Sequence, residues 1–431
     1  MTQLPEGYPM RSLVLFLLVL LCPMSVAAQG IHTLVPGARP EAVGLSSDRL
    51  ARIDTLMAAL VARLEIPGAV ALIVRHGEIA YFKAWGYRNV ETRAPLRTDD
   101  IFRIASQSKA ITALAVMMLW EEGRFQLDDA VARYLPAFAK PQVLTSFNAA
   151  DTTWESEPAR SGVTIRQLLT HTSGIDYASI GSREFRAIYA KAGVPSGIGN
   201  DRDRLADKMT ILGGLPLRHQ PGERFTYGLN SDVLGYLVEV LSGQPFDEFL
   251  RTRIFQPLGM HDTWFYLPAA KHDRLVTLHD GESGTVLPLR ARAYDDVDPD
   301  YPKLPGTYFS GGAGLSSTAE DYARFLQLFL NGGEYNGVRL LGRKTVELML
   351  TDQLPALTDE FGLGFGLETP ANDYLSPASI GSFSWGGAFN TSYWADPTED
   401  LIGVLYTNIY NTAHRNLGAR FKVLVYQAIV D

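Results

Sequence analysis

Leu50, Ile53, Leu56, Met57, Leu60 and Leu64 recur at intervals of three and four residues, the spacing of one face of an α-helix. Ser47-Asp48 ahead of them supplies a cap, so the pattern predicts a helix from there to about Glu65, ended by Pro67-Gly68. The period then changes. Residues 69–74 and 79–85 read as two strands about a His76-Gly77 turn, a hairpin signature. A second hairpin is predicted near the other end, where residues 391–395 and 401–407 flank Asp396-Pro397-Thr398-Glu399-Asp400, and residues 413–430 read as a helix. Residues 109–122, 165–169 and 231–241 read as helices between these ends, and 140–162 and 281–307 as long polar loops. Strands at both ends with helices between them predict an α/β (α+β) fold. An antiparallel sheet flanked by helices is built from the N- and C-terminal parts (29–100 and 310–431), with a mostly helical lobe (101–309) inserted. Substrate clefts favour such lobe boundaries.

One segment does not belong to that fold. The unbroken apolar run from Leu13 to Leu21 follows Arg11 and precedes Pro23 and the small residues Ser25-Val26-Ala27-Ala28. This is the pattern of a secretory signal occupying residues 1–28, with 29–431 as the mature, periplasmic or secreted module. The run is short for a bilayer span and Pro23 breaks it, so no stable membrane insertion is expected after cleavage; an uncleaved anchor is the alternative. Glu6 and the lack of a basic residue before Arg11 leave both Met1 and Met10 open as the start. The single cysteine, Cys22, leaves with the signal, which suits an oxidising compartment because nothing remains to mispair.

The chain of 431 residues is 46% hydrophobic and 20% charged, an ordinary globular balance with material for a core. Lys and Arg number 39 against 47 Asp and Glu, a net charge of −8, so there is no basic surplus to meet phosphates and nucleic acid is not an expected partner. One cysteine excludes an intramolecular disulfide framework and a Cys-based zinc site. The acidic loop containing Asp295, Asp296, Asp298 and Asp300 lacks the glycine and closing glutamate of a calcium loop and reads as solvated. His272 and His279 have no metal-ligating partners at a recognisable spacing and read as surface residues.

Candidate chemistry lies in three places. Phe102-Arg103-Ile104-Ala105-Ser106-Gln107-Ser108-Lys109 leads into an almost wholly apolar helix, and Ser106 and Lys109, three apart, share one face of its first turn. A serine hydroxyl needs a base, and a lysine desolvated at the head of a buried helix can serve as one. Tyr227 precedes another apolar helix, where a phenol beside a cation can shuttle a proton. Trp385-Gly386-Gly387-Ala388 lies ahead of a predicted strand; paired glycines let backbone approach a ligand, and a strand-edge N–H beside a nucleophile can stabilise an oxyanion.

In this order the three resemble the serine β-lactamase and penicillin-recognising superfamily, and within it the class C β-lactamase-like esterases. Leu168-Leu169-Thr170-His171-Thr172-Ser173-Gly174, Gly311-Gly312-Ala313-Gly314-Leu315 and Phe361-Gly362-Leu363-Gly364-Phe365-Gly366 extend the resemblance over nearly the whole mature chain. It implies an acyl-enzyme route without metal or organic cofactor, with Ser106 as nucleophile, Lys109 as the S-x-x-K lysine and Tyr227 as the tyrosine of the Y-x-N element. It further implies an oxyanion hole from the Ser106 and Ala388 N–H groups, and Trp385, Gly386, Gly387 and Leu229 at the substrate. Two departures stand out. Leu229 replaces the Y-x-N asparagine, and Trp385-Gly386-Gly387 carries no cation for a β-lactam carboxylate. Asp232, five after Tyr227, matches a supporting residue of the esterase branch. His171 belongs to a turn that is structural in this family, and no G-x-S-x-G elbow occurs, which counts against an α/β-hydrolase. The expected activity is hydrolysis of a small-molecule ester. The alternatives are a D-amino-acid peptidase or β-lactamase acting on amides, and a penicillin-binding-like sensor that acylates without turnover.

Overall fold

A strand held between two layers of helix needs apolar residues on both faces. The strand Gly68–Arg75 (GAVALIVR) meets that condition: all of its residues are buried. It is β2 of a sheet comprising β1 Val35–Pro36, β3 Glu78–Asn89, β4 Ala94–Pro95, β5 Gly366–Leu367, β6 Phe383–Gly387, β7 Thr391–Asp396 and β8 Leu401–Tyr406. The order is β1-β3-β2-β8-β7-β6-β5, with β4 on β3, and every pair is antiparallel except β1 with β3. The sheet is thus made from the two ends of the folded chain, with β2 beside β8 at its centre. The β2–β3 hairpin turns on His76 and Gly77, both at positive φ (53° and 74°), the geometry that matches the twist of the strands.

The computed structural model describes residues 1–2, 32–200, 202–282, 284–290 and 297–431. The candidate signal (Arg11, Leu13 to Leu21, Cys22, Pro23 and Ser25 to Ala28), the alternative start Met10, and Asp295 and Asp296 lie outside the described residues. The folded body is the unit Ile31–Asp431. No helix among the described residues is long and apolar enough to cross a membrane.

Alternation along β2 divides the core. Ala69, Ala71 and Ile73 pack with Trp394 and Leu405 against helices α1 (Ser47–Ala62) and α5 (Leu417–Tyr426). Val70, Leu72 and Val74 face the other way, into a larger cluster with α2 (Ser108–Glu121), α3 (Asn230–Ser242) and α4 (Ala319–Leu330). Almost all of α2 is buried, because it lies where the sheet meets the helical lobe.

Five sequence expectations need correction. The cap of α1 is Ser46, whose Oγ accepts from the Arg49 N–H at 3.3 Å, and the helix stops at Ala62. The last helix spans only Leu417–Tyr426. The first polar loop contains a hairpin, Gln142–Asn148 with Thr153–Pro158; both its faces are largely exposed, so no apolar alternation marked it. His279 is fully buried, not a surface residue. Its Nε2 accepts from the Val90 N–H at 3.3 Å, and burial lowers its pKa to about 4. Part of the second polar loop is also ordered: Leu287–Pro288 pairs with His279–Asp280, and Asp300 pairs with Lys303 at 2.9 Å.

Candidate active site

From Ile101 to Ala110 every residue is buried except Ser106. The short strand Phe102–Arg103 pairs with Ser316–Ser317 and runs into a single 3-10 turn, Ala105–Gln107, at the head of α2. Ala105, just before the serine, sits at φ 44°, a conformation that costs energy for a residue with a Cβ and persists only where its surroundings impose it. The surroundings are specific. Ser108 Oγ donates to Ala105 O (2.7 Å) and accepts from the Leu315 N–H (3.1 Å). Gln107 accepts at its backbone oxygen from Tyr322 of α4 (2.9 Å) and at Oε1 from Tyr406 of β8 (2.8 Å). Arg103, itself buried, donates to Val276 O at 2.6 Å and to Pro299 O. Sheet, helix and loop therefore all hold the turn that presents Ser106.

Lys109 lies one helical turn beneath Ser106 and is only 3% exposed. Its Nζ reaches three oxygens: Gly312 O at 2.7 Å, the Tyr177 hydroxyl at 2.9 Å and Ser106 Oγ at 3.3 Å. The ammonium also lies 4.6 Å from the ring centroid of Tyr227 and 5.4 Å from that of Tyr177, a favourable cation–π setting. The Gly311-Gly312 run now has a physical reason. A Cβ on Gly312 would lie 2.6 Å from Asp232 Oδ2, 3.4 Å from the Tyr177 hydroxyl and 3.5 Å from Lys109 Nζ, so only glycine lets this backbone enter among them. Asp232 is fully buried, with Oδ1 accepting from Tyr308 at 3.4 Å. Burial raises its pKa to about 6, against the opposing pull of Ser310, Lys109 and Tyr308.

Tyr227 is half-buried. Its ring packs against Trp385 (5.6 Å), Tyr177 (5.4 Å) and His171 (4.9 Å), and its hydroxyl receives the Trp385 indole N–H at 3.4 Å. His171 supports this wall. It is buried at φ 56°, accepts at Nδ1 from Asn230 (2.9 Å) and touches Phe225 and Phe361. Burial, reinforced by the charge of Lys109, holds its pKa well below that of a free imidazole. Asn230 is spent on this support: Nδ2 goes to His171 and Oδ1 accepts from Ser173 at 2.5 Å. It therefore cannot replace the asparagine absent at Leu229. Leu229 itself is 0% exposed, in the core of the helical lobe at the head of α3, and presents no surface to a substrate. The sequence expectation placed it at the substrate; a residue capping a buried helix has no room to turn outward.

Strand β6 ends against the turn that carries Ser106. A Cβ on Gly387 would fall 2.4 Å from Ile104 O, so the backbones touch there, and Ala388 follows, exposed, in the turn leading to β7. Two groups escaped the sequence reading. Tyr177 stands three residues past Gly174, and its only sequence signal was its place at the end of the His171-to-Gly174 turn. The carbonyl of Gly312 had none, since a backbone acceptor leaves no trace in side-chain chemistry. No cluster of three metal-ligating side chains occurs among the described residues. A cavity of about 960 Å³ lined by Val61, Tyr87, Glu91, Val286 and Leu289 includes none of these groups.

Comparison with known proteins bears on this arrangement. The family model described as Beta-lactamase matches residues 53–427. An uncharacterized protein of Mycobacterium tuberculosis is 35% identical over 356 residues, covering 78% of this chain and 84% of its own. Esterase EstB of Burkholderia gladioli is 33% identical over 414 residues, covering 90% and 97%. The solved structure of EstCE1, described as a hydrolase with promiscuous acyltransferase activity, superposes with a TM-score of 0.77 at 27% identity, covering 88% of this chain and 99% of that one.

Proposed function

The chain belongs to the β-lactamase family and is a carboxylesterase-like serine hydrolase, and on that premise we propose that it cleaves carboxylic esters through an acyl-enzyme on Ser106. The observation that carries the reading is the approach of buried Lys109 Nζ to Ser106 Oγ at 3.3 Å, beneath the only partly exposed residue of that run. Ser106 Oγ attacks the ester carbonyl carbon and its proton passes to the Lys109–Tyr227 pair. The carbonyl oxygen gains the negative charge, and the N–H groups of Ser106 and Ala388 stabilise it. As the ester C–O bond breaks, Tyr227 gives a proton to the departing alcohol. Water then attacks the acyl carbon, loses its proton to the same pair, and Ser106 leaves reprotonated. We extend the proposal to export, supported by the signal-like pattern of residues 1–28; N-terminal sequencing of secreted protein beginning at Gln29 tests it.

Substrate class follows from what the site lacks. Asn230 is engaged elsewhere, Leu229 is buried, and Trp385-Gly386-Gly387 brings no cation to the strand edge. A peptide-like amide or lactam carboxylate buried there unpaired costs about 1–3 kcal/mol per group. A small neutral ester carries no such cost. The expected kcat/KM for a short-chain p-nitrophenyl ester exceeds that for a chromogenic cephalosporin or a D-Ala-D-Ala peptide by at least about tenfold. A better rate on the lactam or the peptide would overturn the ester assignment. An acylation burst without turnover on all three would identify a sensor.

A further inference from the structure

A cavity of about 290 Å³ adjoins Tyr227, lined by that tyrosine with Asp176, Ile180, Arg218, Arg224 and Phe225. Its charges are not balanced. The Asp176 carboxylate is buried and already engaged: Oδ1 accepts from the Tyr177 N–H at 2.8 Å, and Oδ2 from the Ser182 N–H at 3.1 Å and Arg218 at 3.2 Å. Arg218 is thereby neutralised, with Glu184 also in its field. Arg224 is exposed, and among the described residues its guanidinium forms neither an ion pair nor a hydrogen bond. One cation therefore remains in excess beside the catalytic tyrosine, in a chain whose net charge is −8.

We propose that this cavity binds a carboxylate carried on the alcohol portion of the ester, so that the enzyme favours acyl esters of hydroxy acids. The inference rests on the esterase reading of Ser106, Lys109 and Tyr227, because Tyr227 is the group that protonates the departing alcohol and so marks the side on which that alcohol lies. A guanidinium presents a planar fork that matches a carboxylate with two parallel N–H donors. The lining is mostly polar, and Ile180, Phe225 and Tyr227 are the apolar and aromatic residues available to the short carbon skeleton between carboxylate and ester oxygen. This cation is separate from the one missing at the Trp385-Gly386-Gly387 edge, which does not line the cavity.

The test compares two acetate esters that differ only in charge, 4-acetoxybenzoate and 4-acetoxybenzamide, on wild type, Arg224→Gln and Arg224→Lys. Arg218 is left in place, since its loss would strand the buried Asp176 carboxylate. The expected result is a ratio of kcat/KM, anionic over neutral, that falls about three- to tenfold in Arg224→Gln and is largely restored in Arg224→Lys. In wild type 0.5 M salt should lower the same ratio. A ratio unchanged in Arg224→Gln overturns the proposal while leaving the esterase reading intact. If neither ester is turned over, the esterase reading fails, and binding to Ser106→Ala by calorimetry decides the subsite alone. Tighter binding of 4-hydroxybenzoate than of 4-hydroxybenzamide, lost in Arg224→Gln, supports it, and equal binding overturns it.

Discussion

Tyr177→Phe removes one of the three oxygens around Lys109 Nζ. The ring stays, with its contacts to Tyr227 at 5.4 Å and to the lysine nitrogen at 5.4 Å. Lys109 keeps Gly312 O at 2.7 Å and Ser106 Oγ at 3.3 Å but loses its 2.9 Å partner. A hydrogen bond to a charged group is worth about 1.5–3 kcal/mol, and each 1.4 kcal/mol is a factor of ten. If the lysine is held for proton transfer by these three contacts, kcat falls about 10- to 100-fold. KM changes little, because the lost hydroxyl acts on Lys109 rather than on the substrate. The assay is steady-state hydrolysis of a p-nitrophenyl ester, with thermal unfolding of the same preparation as a control for folding. A kcat within twofold of wild type at an unaltered Tm would refute the claim that Tyr177 positions the lysine.

Other expectations follow from the same geometry. Lys109→Ala and Tyr227→Phe each lower kcat far more than they raise KM, and the double variant is clearly less impaired than the product of the two losses, as for groups that share one proton path; strictly multiplicative losses argue for separate roles. Asp232 has a folded pKa raised from 3.8 to about 6, so between those values the native state holds a proton that the unfolded chain has released. Stability from this group is complete below about pH 4 and declines as pH rises to about 6, by up to about 3 kcal/mol. Asp321, also buried and raised to about 6, contributes in the same direction. Urea unfolding at pH 4.0 and 6.5 should therefore show a smaller decline in Asp232→Asn than in wild type, and an identical decline would contradict the assignment.

The parts of the molecule that the sequence made legible are those in which chemistry and periodicity coincide. Both central hairpins were readable because β2 and β8 are continuous apolar runs and their turns carry His76-Gly77 and Asp396-Pro397. Ser106 and Lys109 were readable because a polar pair heads an otherwise apolar helix. The hairpin Gln142–Asn148 with Thr153–Pro158 was not, because a ribbon exposed on both sides has no reason to alternate. Tyr177 and the Gly312 carbonyl belong to loops that meet Lys109 from sequence distances of 68 and 203 residues, and no local pattern encodes such a meeting. Leu229 misled for the opposite reason. The match to a motif position is local in the chain, whereas the leucine at that position is fully buried in the core of the helical lobe.

The central claim is that Ser106 is the nucleophile. Its most direct test is intact-protein and peptide mass spectrometry after treatment with a fluorophosphonate, on wild type and Ser106→Ala. The account predicts one adduct per chain on Ser106, and none on a folded Ser106→Ala protein that has lost turnover. An adduct on another residue, or an alanine variant that still hydrolyses esters, would contradict it.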